Sequence, residues 1–425
     1  MNVLLIGSGG REHALSWKLS GSKVLEKLYI LPGNAGTSHH GENVNLNPLD
    51  FEAVGKFAIE NKVDTMIVGP EEPLVKGIHD YFAENQNLKH IFVVGPKKEG
   101  AKLEGSKDFS KAFMQRNNIP TARYQSFTRD NFENAARFLD EMKPPYVLKA
   151  DGLAAGKGVV ILDDKEDAIR ELEEMFSGKF GEAGKKVVIE EFLKGVELSV
   201  FVLTDGKSYL TLPEAKDYKR ISEGDTGLNT GGMGAVSPVP FATVEFMKKI
   251  DERIIKPTID GLYKEKIAYS GFIFFGLINM DGDPHVIEYN VRMGDPECQV
   301  VMPRLASDLG EILKSMKEGN LGGINVDYNK EFVSTVVLVS GGYPGPYKKG
   351  KEITGSLQND DAIVFHAGTK SEDNKLLTNG GRVIAISGKG KNIKEALNSS
   401  YTKAEKIYFE GKTLRKDIGF DLFKM

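Results

Sequence analysis

Short apolar runs and amphipathic stretches alternate through the first hundred residues, and that alternation admits few folds. Val3-Leu4-Leu5-Ile6, Leu28-Tyr29-Ile30-Leu31, Met66-Ile67-Val68 and Ile91-Phe92-Val93-Val94 lack the polar alternation of a half-exposed strand, as strands covered on both faces do. Residues 11–20, 50–61 and 72–85 between them predict helices. The pattern predicts an open parallel α/β sheet, whose ligands bind beyond the carboxyl ends of its strands. Two segments fall there. Gly7-Ser8-Gly9-Gly10-Arg11-Glu12-His13 is a glycine-rich turn into a helix, and bare N–H groups with the helix dipole suit an anion. Val68-Gly69-Pro70-Glu71 repeats the theme. A dinucleotide fits poorly. Glu12 stands where G-x-G-x-x-G requires Gly or Ala, and Leu31-Pro32-Gly33 offers no acid to a ribose. A mononucleotide-sized phosphate fits better.

The pattern then changes. A helix is expected after Gly105-Ser106-Lys107, closing at Ile119-Pro120. The strand Tyr146-Val147-Leu148-Lys149 leads through Ala150-Asp151-Gly152-Leu153-Ala154-Ala155-Gly156-Lys157-Gly158 into the strand Val159-Val160-Ile161-Leu162. Two strands joined by a glycine-rich loop bearing lysine make a cover for polyphosphate, with Lys149 a candidate phosphate ligand. This is not a Walker A loop, because Gly152 and Gly156 enclose too few residues and Gly158 stands where Ser or Thr would hold Mg²⁺. After the strand Val187-Val188-Ile189-Glu190, residues 213–240 show little regular pattern. Loops of that length are functional or disordered. This one carries Lys216-Asp217-Tyr218-Lys219-Arg220 and then Asp225-Thr226-Gly227-Leu228-Asn229-Thr230-Gly231-Gly232-Met233-Gly234, small groups able to close on a small ligand.

A hairpin is expected next, from Gly271–Met280 through Asp281-Gly282-Asp283 into Val286-Ile287-Glu288-Tyr289-Asn290-Val291-Arg292. With period two, Ile287, Tyr289 and Val291 share one face, and Glu288, Asn290 and Arg292 the other. A carboxylate, an amide oxygen and a fixed positive charge in a row suit phosphoryl transfer, since Mg²⁺ takes hard oxygens and completes its shell with water and phosphate. The polar face of a solvent-exposed strand would look the same. Met293-Gly294-Asp295-Pro296-Glu297 follows.

At 425 residues the chain has room for roughly three domains of about 100–200 residues. Residues 326–425 read as a further α/β piece without a catalytic constellation. The net charge of −4 exerts no global pull on nucleic acid or anionic membrane, so any phosphate site must be built locally. Cys298 is the single cysteine, which precludes an intrachain disulfide and suits a reducing cytoplasm. No signal peptide or membrane span is expected, and no His or Cys pair has zinc spacing.

These segments together resemble the ATP-grasp ligases, and within them the phosphoribosylamine–glycine ligase (glycinamide ribonucleotide synthetase) family of purine biosynthesis. The similarity covers nearly the whole chain and is carried most specifically by Gly7–His13, Lys149–Gly158, Asp225–Gly234 and Arg292–Glu297. It implies an α/β protein with an N-terminal open parallel-sheet domain (1–103), a central two-part ATP-grasp fold (104–325, lid about 123–190) and a C-terminal α/β domain (326–425). It implies that Lys107, Lys149, Gly156 and Lys157 meet ATP phosphates, that Glu190 and the Leu193 backbone face adenine, and that Glu197 holds the ribose. Glu288 and Asn290 would bind Mg²⁺ or Mn²⁺, and no further metal carboxylate comes from Phe274-Phe275-Gly276-Leu277. Gly9, Gly10, Arg11, Glu12, Glu71, Asp217, Lys219, Asp225, Asn229, Arg292 and Asp295 would line the sites for glycine and 5-phosphoribosylamine, with Arg292 and Lys149 catalytic. Lys216 and Tyr218 stand where the family leads one to expect glutamine and histidine, so no role is carried over to them. The activity implied is ATP-dependent ligation through glycyl phosphate. An ATP-grasp enzyme for another carboxylate and a nicotinamide or binding protein on the N-terminal fold are the alternatives; Glu12 and Leu31-Pro32-Gly33 oppose the last.

Overall fold

The apolar runs become the strands Asn2–Gly7, Lys27–Pro32, Thr65–Val68 and Phe92–Val94 in a computed structural model that describes residues 1–153 and 158–424. With the short strand Glu42–Asn43 they form a wholly parallel sheet, ordered Glu42–Asn43, Lys27–Pro32, Asn2–Gly7, Thr65–Val68, Phe92–Val94. The order reverses at Asn2–Gly7, so Ile6 and Val68 lie side by side and the chain leaves both strands into one crevice. The predicted helix over 72–85 is two, Glu71–Lys76 and Ile78–Glu84. Gly77, at φ +92°, ends the first, a left-handed conformation that favours glycine.

Two further sheets form the central region. A four-stranded antiparallel sheet is ordered Tyr124–Thr128, Lys186–Glu191, Tyr146–Ala150, Val159–Leu162. It has its own core, including Phe127, Leu139, Leu148, Leu172, Met175 and Ile189. An eight-stranded sheet runs Asp283–Asn290, Gly271–Met280, Val196–Thr204, Tyr209–Asp217, Gly234–Ser237, Phe332–Val339, Arg382–Gly390, Ala362–His366. Its last three strands come from the C-terminal hundred residues. Phe332–Val339 pairs antiparallel with Gly234–Ser237, so the C-terminal α/β region continues this sheet. An unpaired strand edge needs partners for its N–H and C=O groups, and the C-terminal strands supply them. Among the described residues no helix is long and apolar enough to cross a membrane.

Residues 213–240 are more regular than their composition indicates. Tyr209–Asp217 runs into them, Arg220–Ser222 and Thr226–Asn229 form a hairpin, and Gly234–Ser237 is a strand. Neighbouring strands impose this order where local periodicity is absent.

The hairpin closing on Asp283–Asn290 turns through Asp281 and Gly282, both at positive φ (52° and 92°). Its second strand departs from simple alternation. Gly276 faces Glu288 but Leu277 faces Val286, leaving Ile287 in a bulge. Val286, Tyr289 and Val291 are buried while Ile287 is only half-buried. The strand ends at Asn290, so alternation does not carry Arg292. A bulge inserts one residue and re-aims those beyond it, which a period-two reading cannot foresee. Tyr289 is 2% exposed, packs edge-on against Phe275 with centroids 5.4 Å apart, and shares a 2.9 Å hydrogen bond with Thr258. Tyr289→Ala should lower unfolding free energy by about 3–5 kcal/mol and Glu288→Ala by less than about 1 kcal/mol. Equal losses in urea titrations of the two variants would contradict their opposite faces.

Candidate active site

One register row crosses three strands, with Glu288 opposite Gly276 and Gly276 opposite Ser199. Residues directly opposed in an antiparallel pair share a face. A Cβ on Gly276 would lie 3.1 Å from Glu288 Cγ, so the Glu288 side chain leans over the space that glycine leaves. Asn290 follows on the same face, 8% exposed. Among the described residues no group of three or more His, Cys, Asp or Glu could hold a metal ion by itself. A carboxylate and an amide oxygen nevertheless fit a cation that draws its remaining ligands from water and phosphate.

Lysines converge on this row from the four-stranded sheet and from the helix Lys107–Arg116. Lys149, 5% exposed, ends the strand Tyr146–Ala150. Its Nζ donates to Glu190 Oε2 at 2.9 Å and to the carbonyl of the bulged Ile287 at 3.4 Å. Lys111 Nζ lies 2.8 Å from the same Glu190 oxygen. Burial works to raise the Glu190 carboxyl, but Lys149 and Lys111 outweigh it and hold it below its ordinary value. Burial lowers the Lys111 ammonium to about 8, against the pull of Glu190. Glu190 Oε1 is buried and has no hydrogen-bond partner among the described residues. Lys107 Nζ donates to the Gly152 carbonyl at 3.1 Å; burial lowers its pKa, with Glu288 the strongest opposing charge. Lys107 and Lys111 are one helical turn apart on Lys107–Arg116, whose N-cap Ser106 accepts from Phe109 N–H at 3.1 Å. Lys111 was missed by the sequence reading, although the i,i+4 spacing was visible. Leu193 lies in the connection between Lys186–Glu191 and Val196–Thr204 that joins the two sheets. Gly156 and Lys157 lie outside the described residues.

Of the residues expected from 213–240, Asp217 and Lys219 reach the row. Lys219 Nζ is 2.6 Å from Glu197 and 3.6 Å from Asp217, and Glu288 adds to the charges that hold its pKa up against burial. Asp225 and Asn229 sit on the exposed hairpin instead, Asp225 paired with Arg415 at 3.1 Å and Asn229 opposite Arg220.

The N-terminal crevice differs from the open anion cradle that its glycines predict. Gly9 N–H donates to Glu12 Oε2 at 2.6 Å, and Arg11 N–H to Asp295 Oδ2 at 3.2 Å. The helix start is thus capped by the chain's own carboxylates, which favours hydroxyl or ammonium groups over phosphate there. Glu12 is locked in place: Arg11 Nε pairs with it at 2.6 Å, and Cβ atoms on Gly7 or Gly69 would lie 2.4 or 2.1 Å from its side chain. Gly10 admits Gln299, whose Nε2 would be 2.4 Å from a Cβ. Arg292 bridges this crevice to the row of Glu288 and Asn290. Its Nη2 reaches Glu104 at 2.7 Å and its buried Nε lies 3.5 Å from Glu71. Burial would raise the Glu71 carboxyl, but Arg292 and Arg11 hold it low. Glu104, which also accepts from Val291 N–H at 2.7 Å, carried no signal in the sequence. Asp295 accepts from Gln299 at 2.8 Å and lies 3.3 Å from Arg382; that arginine and Arg11 overcome burial and keep it ionised.

Glu297 closes the row. It is 3% exposed and accepts from Ser199 Oγ at 3.3 Å. Burial, then the neighbouring Asp217, push its carboxyl up to about 7, and burial raises Asp217 too.

Family models for phosphoribosylglycinamide synthetase match in order: the N domain over residues 1–104, the ATP-grasp (A) domain over 105–298 and the C domain over 333–421. The chain is 46% identical over 431 residues to phosphoribosylamine–glycine ligase of Haemophilus influenzae, covering 99% of this chain and 98% of that one. It is 46% identical over 423 residues to a bifunctional purine biosynthetic protein of Schizosaccharomyces pombe, covering 98% of this chain but 53% of the relative. A Pichia angusta bifunctional protein matches at 45% over 433 residues, 100% of this chain and 54% of its own. The chain thus spans about half the length of those two fungal relatives. The crystal structure of phosphoribosylamine–glycine ligase from Thermotoga maritima superposes with a TM-score of 0.85 at 38% identity, covering 98% of this chain and 100% of that one. Biotin carboxylase from Campylobacter jejuni, at 16% identity and TM-score 0.71 over 100% of this chain and 95% of its own, shares the fold.

The raised Glu297 carboxyl makes stability depend on pH. The native state holds this proton more tightly than the unfolded chain does, so stability falls as pH rises from about 4.3, the ordinary glutamate value, towards about 7. Glu297→Gln removes that loss. Its stability advantage over the unsubstituted chain should grow across this window to about 3 kcal/mol and stay level above it, as read by urea denaturation at successive pH values. An advantage independent of pH would contradict the shifted carboxyl.

Proposed function

The chain belongs to the phosphoribosylglycinamide synthetase family, and we propose that it ligates free glycine to 5-phosphoribosylamine with ATP, forming glycinamide ribonucleotide, ADP and phosphate. The observation that carries this reading is Glu288 over Gly276 with Asn290 beside it, met by Lys149 from the four-stranded sheet and by Lys107 from the helix Lys107–Arg116. Glu288 and Asn290 would hold a divalent cation, Mg²⁺ or Mn²⁺, which when bound neutralises charge on the polyphosphate. Glu190 Oε1, buried and without a donor, suits the adenine amino group, with the Leu193 backbone beside it and Glu197 at the ribose. The partners are small molecules rather than nucleic acid, and the setting is a reducing cytoplasm.

A carboxylate is a poor electrophile. One oxygen of glycine therefore first attacks the γ-phosphorus of ATP, the bond to the ADP oxygen breaks, and glycyl phosphate forms. Lys107 and Lys149 position the phosphates, and positioning with charge neutralisation is most of such a transfer. Arg292, held by Glu104 at 2.7 Å and with its Nε 3.5 Å from Glu71, sets a fixed positive charge where the acyl phosphate forms. The amine of phosphoribosylamine, held between Glu71 and Asp295, then attacks the acyl carbon; phosphate leaves and the new amide nitrogen gives up a proton.

Sustained ADP release should require both glycine and phosphoribosylamine; release with bicarbonate in place of glycine would reassign the acid. Glycine labelled with ¹⁸O in its carboxylate should transfer one labelled oxygen to inorganic phosphate per turnover, and unlabelled phosphate alongside product would exclude glycyl phosphate. Arg292→Ala should slow turnover by about 10²–10³-fold while leaving the label in whatever phosphate forms.

A further inference from the structure

The strand Tyr209–Asp217 and the two residues after it divide their charges between two directions. Asp217 and Lys219 face Glu197 and the metal row. Lys216 and Tyr218 meet a different partner, Asp421, in the helical turn Phe420–Lys424 close to the C-terminus. Tyr218 Oη donates to Asp421 Oδ1 at 2.6 Å, and Lys216 Nζ lies 3.0 Å from Oδ2. The Lys216 ammonium also sits 3.8 Å from the centroid of the Tyr218 ring, a cation–π contact that fixes the two side chains together. Arg415, 2% exposed at its side chain, lies 5.4 Å from the same ring. It pairs with Asp417 at 2.8 Å and donates to the Arg220 carbonyl at 3.1 Å. Asp417 in turn accepts from Gly224 N–H at 2.8 Å. The segment from Arg415 to Asp421 thus clasps the end of the strand and the hairpin that follows it.

The backbone of Tyr218 is already fixed, through Gly234 at 3.0 Å and Met233 at 2.7 Å. What Asp421 adds is a counter-charge for Lys216, whose side chain is 12% exposed. That ammonium already acts on Glu197 and Asp217, the carboxylates that Lys219 bridges. Without Asp421, this poorly solvated lysine loses its 3.0 Å partner, and Glu197 and Asp217, on which it already acts, are acids it can turn to at the expense of Lys219. Opposite charges in a partly buried cluster exchange partners when one is removed, because leaving a charge unpaired costs more.

We propose that Asp421 is a positioning residue for the ligation: by holding Lys216 and Tyr218 it keeps Lys216 away from Glu197 and Asp217, leaving those carboxylates and Lys219 set for nucleotide and substrate. This rests on the ligase reading of the site. The C-terminal region then contributes to catalysis through the electrostatics of one side chain, without touching substrate.

Asp421→Asn removes the charge and keeps an acceptor for Tyr218. In the full-length chain it should weaken Mg²⁺–ATP binding, measured by calorimetry without other substrates, by about tenfold, which is about 1.4 kcal/mol, and raise KM for ATP alike. Its melting temperature should stay close to that of the unsubstituted chain. Adding Lys216→Met, which keeps a side chain over Tyr218 but removes the competing charge, should restore binding to within about twofold. Rescue by a second substitution is what a merely structural tail would not show. Unchanged ATP affinity in Asp421→Asn, or a loss that Lys216→Met does not restore, overturns the proposal. Failure of the unsubstituted chain to bind Mg²⁺–ATP would instead overturn the ligase reading itself. Should Asp421→Asn fold poorly, Lys216→Met in the otherwise unsubstituted chain decides: the proposal expects near-normal ATP affinity, and a tenfold loss contradicts it.

Discussion

One buried carboxylate oxygen ties the two halves of the site together. Glu190 Oε2 accepts from Lys149 on its own sheet and Lys111 on the preceding helix, and Lys149 continues to the carbonyl of the bulged Ile287 on the strand Asp283–Asn290. Helix, four-stranded sheet and eight-stranded sheet are joined through that atom and Lys149. Burying three charges is costly, and only close pairing makes it tolerable. Two ammonium groups on one carboxylate leave an excess of positive charge in a region where water cannot screen it. A polyphosphate is the natural complement. Removing Glu190 would leave two lysines facing each other in the interior, a larger perturbation than removing either lysine.

The second crevice is built on alternation of charge rather than excess. Arg11 and Arg292 are interleaved with Glu12, Glu71, Glu104 and Asp295, and each arginine has more than one acid or carbonyl in reach. Such a network suits a substrate rich in hydroxyl and amino groups, because its polarity is satisfied before the ligand arrives and can be exchanged bond for bond. The overall charge of −4 says nothing of either arrangement. Both are local, created by elements distant in sequence.

Conformation at a few backbone positions makes these contacts possible. The bulge at Ile287 turns Glu288 towards Gly276 while Tyr289 stays in the core. Gly276 leaves the space that the Glu288 side chain leans into, and Gly7 and Gly69 leave the space that Glu12 fills. A side chain larger than hydrogen at these positions meets atoms closer than contact distance, so the glycines reflect crowding and not flexibility alone.

Much of this was legible in the sequence, for reasons that are local. Four apolar runs without alternation require a covered parallel sheet, and they form one. Glycines after strands mark turns at their carboxyl ends, and a hairpin signalled by Asp281-Gly282 has its expected turn. Glu288 and Asn290 share a face because strand periodicity demands it across two residues. What the tertiary structure alone decided involves partners far apart along the chain. The caps on the N-terminal helix come partly from Asp295, Glu104 finds Arg292 188 residues further along the chain, and Asp421 finds Lys216 and Tyr218. The C-terminal strands join the central sheet through an edge whose location no local pattern records. Periodicity and turn chemistry act over a few residues, so they determine elements and faces; burial and charge pairing act through space, so which charges meet is settled only when the sheets are packed.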